Sequence, residues 1–126
     1  MNNKTLESFF AIHDSIRSFS IIGKDGNLIF AKMRDGVKSY APELSIDLYS
    51  ARIALHVAMG ETENLDHGKV RFSMVVREKI VLLMFPGFGK IFVVSARTDF
   101  PFECVEKIGQ LIDELAEEFE PFEAAE

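Results

Sequence analysis

Leu6, Phe9, Phe10 and His13 recur at i, i+3, i+4 and i+7, which gathers them on one helical face and leaves Lys4, Glu7 and Asp14 elsewhere. The spacing predicts a first helix over 4–15. Two β-prone runs follow, 18–23 and 28–33, on either side of Asp25-Gly26, a pair that supplies the positive φ angles of a tight hairpin turn. They predict two antiparallel strands. Residues 34–39 are polar and glycine-containing and read as a loop, after which Pro42 suits the first turn of a second helix, 42–59, with Gly60 as its stop. Leu44, Ile46, Leu48, Tyr49, Ile53, Leu55, Val57 and Met59 surround that helix with apolar groups. Such a stripe is too wide for a helix with one solvated face, so either the helix is deeply buried or its second face meets another chain.

Residues 61–67 read as a polar loop. From 69 to 77 the chain alternates, with Val70, Phe72, Met74 and Val76 on one side and Lys69, Arg71, Ser73, Val75 and Arg77 on the other, the pattern of a half-exposed strand. Residues 80–85 are apolar throughout and 91–96 nearly so, which predicts two strands covered on both faces or lying mid-sheet, joined by a turn at Pro86-Gly87-Phe88-Gly89. Beyond Asp99 and Pro101, residues Val105, Ile108, Leu111, Ile112, Leu115 and Phe119 repeat with a helical period. The predicted order α-β-β-α-β-β-β-α gives an α+β fold, a five-stranded antiparallel sheet flanked by helices.

At 126 residues the chain fits one domain, expected over 1–118 with an acidic tail over 119–126. With 48% hydrophobic residues and 12 phenylalanines it is too apolar for a disordered coil. Its apolar runs fall short of the roughly 18 residues of a membrane span, and its start lacks the basic-then-apolar order of a signal peptide. A single cysteine, Cys104, suits a reducing compartment. These features predict a cytoplasmic chain that does not insert in membranes. The net charge of −6 is uneven: from Glu103 onward nine acids face one lysine, whereas residues 1–102 carry 13 bases and 11 acids. Nucleic acid is therefore a poor partner for the whole chain.

The element order, together with Ile22-Gly23-Lys24-Asp25-Gly26-Asn27-Leu28-Ile29 in the first hairpin, resembles the roadblock (dynein light chain) family, related to longin and profilin-like folds. The resemblance covers about residues 5–117 and looks closest to small archaeal members, in which an Arg-Asp-Gly or Arg-Glu-Gly step follows the second strand as Arg34-Asp35-Gly36 does here. The strand pair around Glu78-Lys79 reads as longer and more basic than is usual there. The family implies homodimers or heterodimers that serve as regulatory platforms for small Ras-like GTPases or motor complexes, without catalytic residues of their own.

Candidate chemistry is sparse. Pro86-Gly87-Phe88-Gly89-Lys90 resembles a phosphate-binding loop, but Met84 and Ile91 stand where a P-loop needs Gly and Ser or Thr, and Phe92 breaks the G-x-G-x-x-G pattern. Cys104 lacks a nucleophile signature, and His13, His56 and His67 are not at metal-ligand spacing. No catalytic residue, cofactor or metal is expected. The interaction candidates are a homodimer surface of Leu44, Leu48, Ile53, Leu55 and Met59 with Phe72 and Met74, and a basic row of Lys69, Arg71, Arg77 and Lys79 for an anionic partner, the chain's own acidic tail among the candidates. In the second helix the outward set is either Leu44, Leu48, Leu55 and Met59 or the opposing Ile46, Tyr49, Ile53 and Val57. The alternative function is a small-molecule sensor, with phenylalanines lining a pocket between sheet and helix.

Overall fold

The computed structural model describes residues 3–39 and 46–124, and the side chains of 4–39 and 46–117. Helix α1 (Asn3–Ala11) leads into the hairpin β1 (Ile16–Gly23) and β2 (Leu28–Met33). Helix α2 (Ile46–Glu61) and the one-turn helix α3 (Asn64–His67) precede β3 (Ser73–Val76), β4 (Val81–Gly87) and β5 (Lys90–Ala96). A 3-10 turn at Phe102–Cys104 opens α4 (Val105–Ala124). The strands form one sheet in the order β2-β1-β5-β4-β3, with every neighbouring pair antiparallel. The expected α+β architecture is thus the observed one.

The sheet lies between two helical layers because its pleat sends alternate side chains to opposite sides. Phe19 and Ile21 of β1, Val81, Leu83 and Phe85 of β4, and Phe92, Val94 and Ala96 of β5 join Phe9 of α1 and Val105, Ile108, Ile112 and Leu115 of α4 in the larger core. Phe9 stacks on Phe19 with ring centroids 4.2 Å apart, and Phe92 lies 6.5 Å beyond Phe19. On the other side Ile22, Met84, Ile91 and Val93 meet Ile53, Ala54 and Val57 of α2. Both long apolar runs of the sequence become interior strands, β4 and β5, buried on both faces.

The loop 24–27 closes the first hairpin: the Gly26 N–H donates to the Gly23 carbonyl at 2.9 Å and the Gly23 N–H to the Asn27 carbonyl at 2.8 Å, with Gly26 at φ +90°. The second turn is tighter than expected. Gly87 pairs with Lys90, so Pro86 and Gly87 belong to β4 and only Phe88 and Gly89 turn, both at positive φ, 56° and 72°.

Several boundaries differ from those predicted. Helix α1 ends at Ala11, and β1 begins at Ile16 instead of 18. The predicted start of the second helix at Pro42 lies outside the described residues, and α2 passes through Gly60, which does not adopt positive φ, to Glu61. The strand expected over 69–77 is only Ser73–Val76, which corrects the expectation of a long strand pair around Glu78-Lys79. Its ladder begins at Ser73 opposite Met84, and extending it by two residues would set Arg71 against Pro86, which has no N–H to donate. Helix α4 continues through most of the predicted acidic tail, to Ala124.

Candidate interaction surfaces and an inner cavity

Helix α2 resolves the ambiguity its composition created. Ser50, Ile53, Ala54 and Val57 face the sheet and are buried, whereas Leu48, Leu55 and Met59 are 54%, 61% and 66% exposed. These three lie at i, i+7 and i+11, one ridge along the outer side, with Ile46 partly exposed at its start. Ile53 is therefore corrected from interface to core, where it packs with Met84, Ile91 and Val93. Of the opposing set, Tyr49, Ile53 and Val57 face the sheet but Ile46 does not join them in its core cluster. Leu44 lies outside the described residues. The tip of the first hairpin meets the helix: a Cβ on Gly26 would stand 3.3 Å from the Ala51 Cα, and Lys24 Nζ is 3.3 Å from Glu61 Oε2.

Phe72 and Met74 are not on that surface. Phe72 is partly buried on the α4 side of the sheet, with its ring 5.7 Å from Phe85 and 6.4 Å from Phe102. Met74 pairs with Leu83, whose side chain belongs to the same core, so it too faces α4. The basic row is also divided. Lys69 and Arg71 precede β3, and Arg77 and Lys79 lie in the turn to β4, where the Arg77 N–H donates to the Ile80 carbonyl at 2.8 Å. All four are exposed.

The N-terminal half of α2 does not pack tightly on the sheet. A cavity of about 270 Å³ remains there, lined by Ser18, Ser20, Ser95 and Ser50, by the apolar Leu28, Ala31, Met33, Ile46 and Ile80, by Tyr49, and at its border by Arg17 and Lys32. The Ser18 and Ser95 hydroxyls hydrogen-bond each other across the β1–β5 ladder. Burial pushes the Tyr49 phenol above its ordinary range. Ser50 is 1% exposed, and its hydroxyl has no hydrogen-bond partner among the described residues. Of the phenylalanines, Phe19 borders this cavity although its ring stacks in the opposite core, whereas Phe72, Phe85, Phe88 and Phe102 line a second cavity, about 730 Å³, between the sheet and α4. The sequence did carry a signal in Ser18-Phe19-Ser20-Ile21, where alternation makes one face of a strand polar.

The residues weighed for catalysis are dispersed. Cys104 is buried in the α4 core, and His56 and His67 are exposed. The Ser15 N–H donates to His13 Nδ1 at 3.1 Å, with the Ser15 hydroxyl 2.8 Å from the same nitrogen, so this ring has a local structural role at the start of β1. Among the described residues no three His, Cys, Asp or Glu side chains are grouped to hold a metal ion, and no helix is long and apolar enough to cross a membrane.

A five-stranded antiparallel sheet carrying α2 on one face and α1 with α4 on the other defines a roadblock/LC7 fold. The roadblock/LC7 domain from Streptomyces avermitilis superposes with a TM-score of 0.63 at 18% identity, covering 86% of this chain and 85% of that one. Myxococcus xanthus MglB gives 0.72 at 17% identity over 94% and 97% of the two chains, and an MglB with a tetrameric arrangement gives 0.70 at 16% over 85% and 78%. The chain belongs to DUF6659, a family of unknown function whose sequence model matches residues 4–124. No curated protein sequence matches it.

Proposed function

We propose that this chain is a non-enzymatic, cytoplasmic interaction module that pairs with a second copy of itself and presents the assembled surface to a protein partner, a small Ras-like GTPase being the class the fold suggests. The observation that carries the reading is the outer ridge of α2, where Leu48, Leu55 and Met59 stand in solvent on the side away from the core. Large apolar groups left exposed in a row mark an interaction surface, and since these are a little over half exposed each forgoes about 1–2 kcal/mol relative to full burial. Only part of that becomes affinity, because association entropy and side-chain ordering oppose it. The edge of β3 that does not pair with β4 supports the same reading, since a twofold partner would satisfy its backbone groups. The assembly of a related fold into a tetramer is consistent with it. Lys69, Arg71, Arg77 and Lys79 flank this edge and would face an acidic partner, so association should weaken as salt rises.

Light scattering on a sizing column tests the pairing. We expect twice 14.2 kDa for the parent chain and 14.2 kDa for a folded Leu55→Glu variant. A monomeric parent at tens of micromolar would defeat the proposal. Pull-down from cytosol across a salt series, with and without charge reversal at Arg71 and Arg77, tests the partner surface.

A further inference from the structure

We infer that the second cavity, which opens to solvent as a groove between α4 and the C-terminal end of β4, binds a basic amphipathic helix of a partner protein. This goes beyond the pairing proposal and does not rest on it, because the groove is on the α4 side of the sheet and the exposed ridge of α2 is on the other.

The first argument is apolar surface left unfilled. Phe72 and Phe85, with ring centroids 5.7 Å apart, line the groove together with Phe88, and Phe102, 6.4 Å from the Phe72 ring, lines it while 62% exposed. A large aromatic group standing in water beside an apolar groove marks an interaction surface, and aromatic rings are the commonest anchors of such surfaces. Gly109 is an independent sign. It lies in the interior of α4 without positive φ, a position where glycine is a poor helix former. A Cβ there would meet only the edge of the Phe85 ring, at 3.9 Å, an ordinary contact. Packing within the chain therefore does not require glycine at 109, whereas the missing side chain keeps the groove open.

Charge selects the occupant. Glu103, Glu106 and Asp113 line the groove from the α4 side, and Arg71 is the one cation among the described residues lining it. All four are exposed, and none of the three carboxylates is ion-paired among the described residues. The local field thus favours a cationic segment and disfavours an acidic one. The form of the occupant follows from the walls. From Phe102 to Asp113 the helical wall runs about 15 Å, three turns, with its backbone groups bonded within α4. Pro86 on the opposite side has no N–H, so little backbone is open to strand addition and recognition runs through side chains, as a helix in a groove presents them. In the bound state the partner helix sets large apolar groups between Phe72 and Gly109 and Lys or Arg against Glu106 and Asp113.

The test is an amide chemical-shift titration of the full chain with three synthetic peptides of about twelve residues, long enough to span the groove. One carries Leu and Lys on opposite faces of a helix, one has the same composition in scrambled order, and one carries Leu and Glu on opposite faces. We expect saturable shifts at Phe72, Phe88, Gly109 and Gln110 with the first, much weaker ones with the second and none with the third. Glu106→Gln combined with Asp113→Asn should weaken the Leu/Lys peptide about fivefold, the worth of two exposed ion pairs, and raising salt should weaken it in the parent. Gly109→Leu should abolish saturable binding by filling the groove. If that variant does not fold, Phe102→Ala, at an exposed position, decides in its place and should weaken binding about tenfold. The inference is overturned if the Leu/Lys peptide gives no saturable shifts at these residues, if the scrambled peptide binds as tightly, if neutralising the two carboxylates changes nothing, or if the deciding variant leaves affinity unchanged. A parent dimer that Gly109→Leu converts to a monomer would assign the groove to a second copy and overturn it as well. Light scattering on the same samples separates the two proposals: a monomer that binds the Leu/Lys peptide defeats only the pairing, and a dimer that does not bind it defeats only the groove.

Discussion

Arg34 Nη2 donates to the carbonyl of Phe10 at 2.6 Å while its guanidinium carbon lies 5.2 Å from the centre of the Phe10 ring. The same nitrogen reaches the His13 carbonyl at 2.9 Å, and Nε the Ile16 carbonyl at 2.6 Å. One side chain at the end of β2 thus satisfies carbonyls at the end of α1, in the connection and at the start of β1, groups a helix terminus otherwise leaves open. The Arg34-Asp35-Gly36 step is therefore architectural. Replacing Arg34 by Met should cost about 2–4 kcal/mol, because three acceptors lose a charged donor, and Lys should recover less than half since it lacks the planar fork. Urea midpoints at unchanged slope measure this. An Arg34→Met chain as stable as the parent would show that water replaces the guanidinium without cost.

Gly26 should be hard to substitute for two separate reasons. Its φ of +90° is strained for any residue with a Cβ, and that Cβ would lie 3.3 Å from the Ala51 Cα. Gly26→Ala is expected to cost about 1–3 kcal/mol. Because the nearest atom is the Ala51 Cα, with its Cβ at 3.7 Å, Ala51→Gly should rescue only a minor part of the loss. Full rescue would mean that contact, and not backbone strain, sets the requirement.

What the sequence made legible follows where burial imposes a period. The continuous apolar runs could only be interior strands, and the repeat of Val105, Ile108, Ile112 and Leu115 could only be a helix laid on a core. The length of β3 was hidden because it is limited by Pro86 in the neighbouring strand, a constraint outside its own alternation. The inward face of α2 was hidden because Leu48, Leu55 and Met59 are as apolar as Ile53 and Val57, so composition gave no direction. The cavity was hidden for the opposite reason: Ser18 and Ser20 look like outward polar residues until the sheet order β2-β1-β5 places them under α2, whose Ser50 lines the same space.

Acid should loosen the first hairpin. The Asp25 carboxylate accepts from the Asn27 N–H at 3.0 Å and from the Asn27 side-chain amide at 2.9 Å, and these bonds, the backbone one first, hold its pKa below 3.8. Asp99 is held down in the same sense by the Arg97 guanidinium, at 3.0 and 3.1 Å. A carboxyl whose folded pKa is depressed contributes stability above its unfolded value, near 3.9, and loses it as pH falls through the folded value. Stability should therefore be insensitive to these two groups from about pH 5 upward and decline below pH 4. The Asn27 amide shift should follow the Asp25 titration, and Asp25→Asn should remove that dependence. An Asn27 amide that moves with a midpoint above 4 would contradict the assignment.

Truncating the two sides of α2 should have opposite signatures. Ile53 is 5% exposed among Met84, Ile91 and Val93, so Ile53→Ala opens a void in a packed layer and should cost about 2–4 kcal/mol whatever the oligomeric state. Leu55, two residues on, is 61% exposed and loses little packing within its own chain. For a monomer, Leu55→Ala should shift stability by less than about 0.5 kcal/mol, the usual range of surface changes. In a dimer the folded state is linked to association, so the same substitution should lower the midpoint most where the parent is assembled and least on dilution. Denaturation of both variants at two protein concentrations, about a hundredfold apart, reads this directly. An Ile53→Ala loss independent of concentration, beside a Leu55→Ala loss that shrinks on dilution, is the expected pair. Equal, concentration-independent losses would place Leu55 within the fold of the single chain and remove the ridge as a pairing surface.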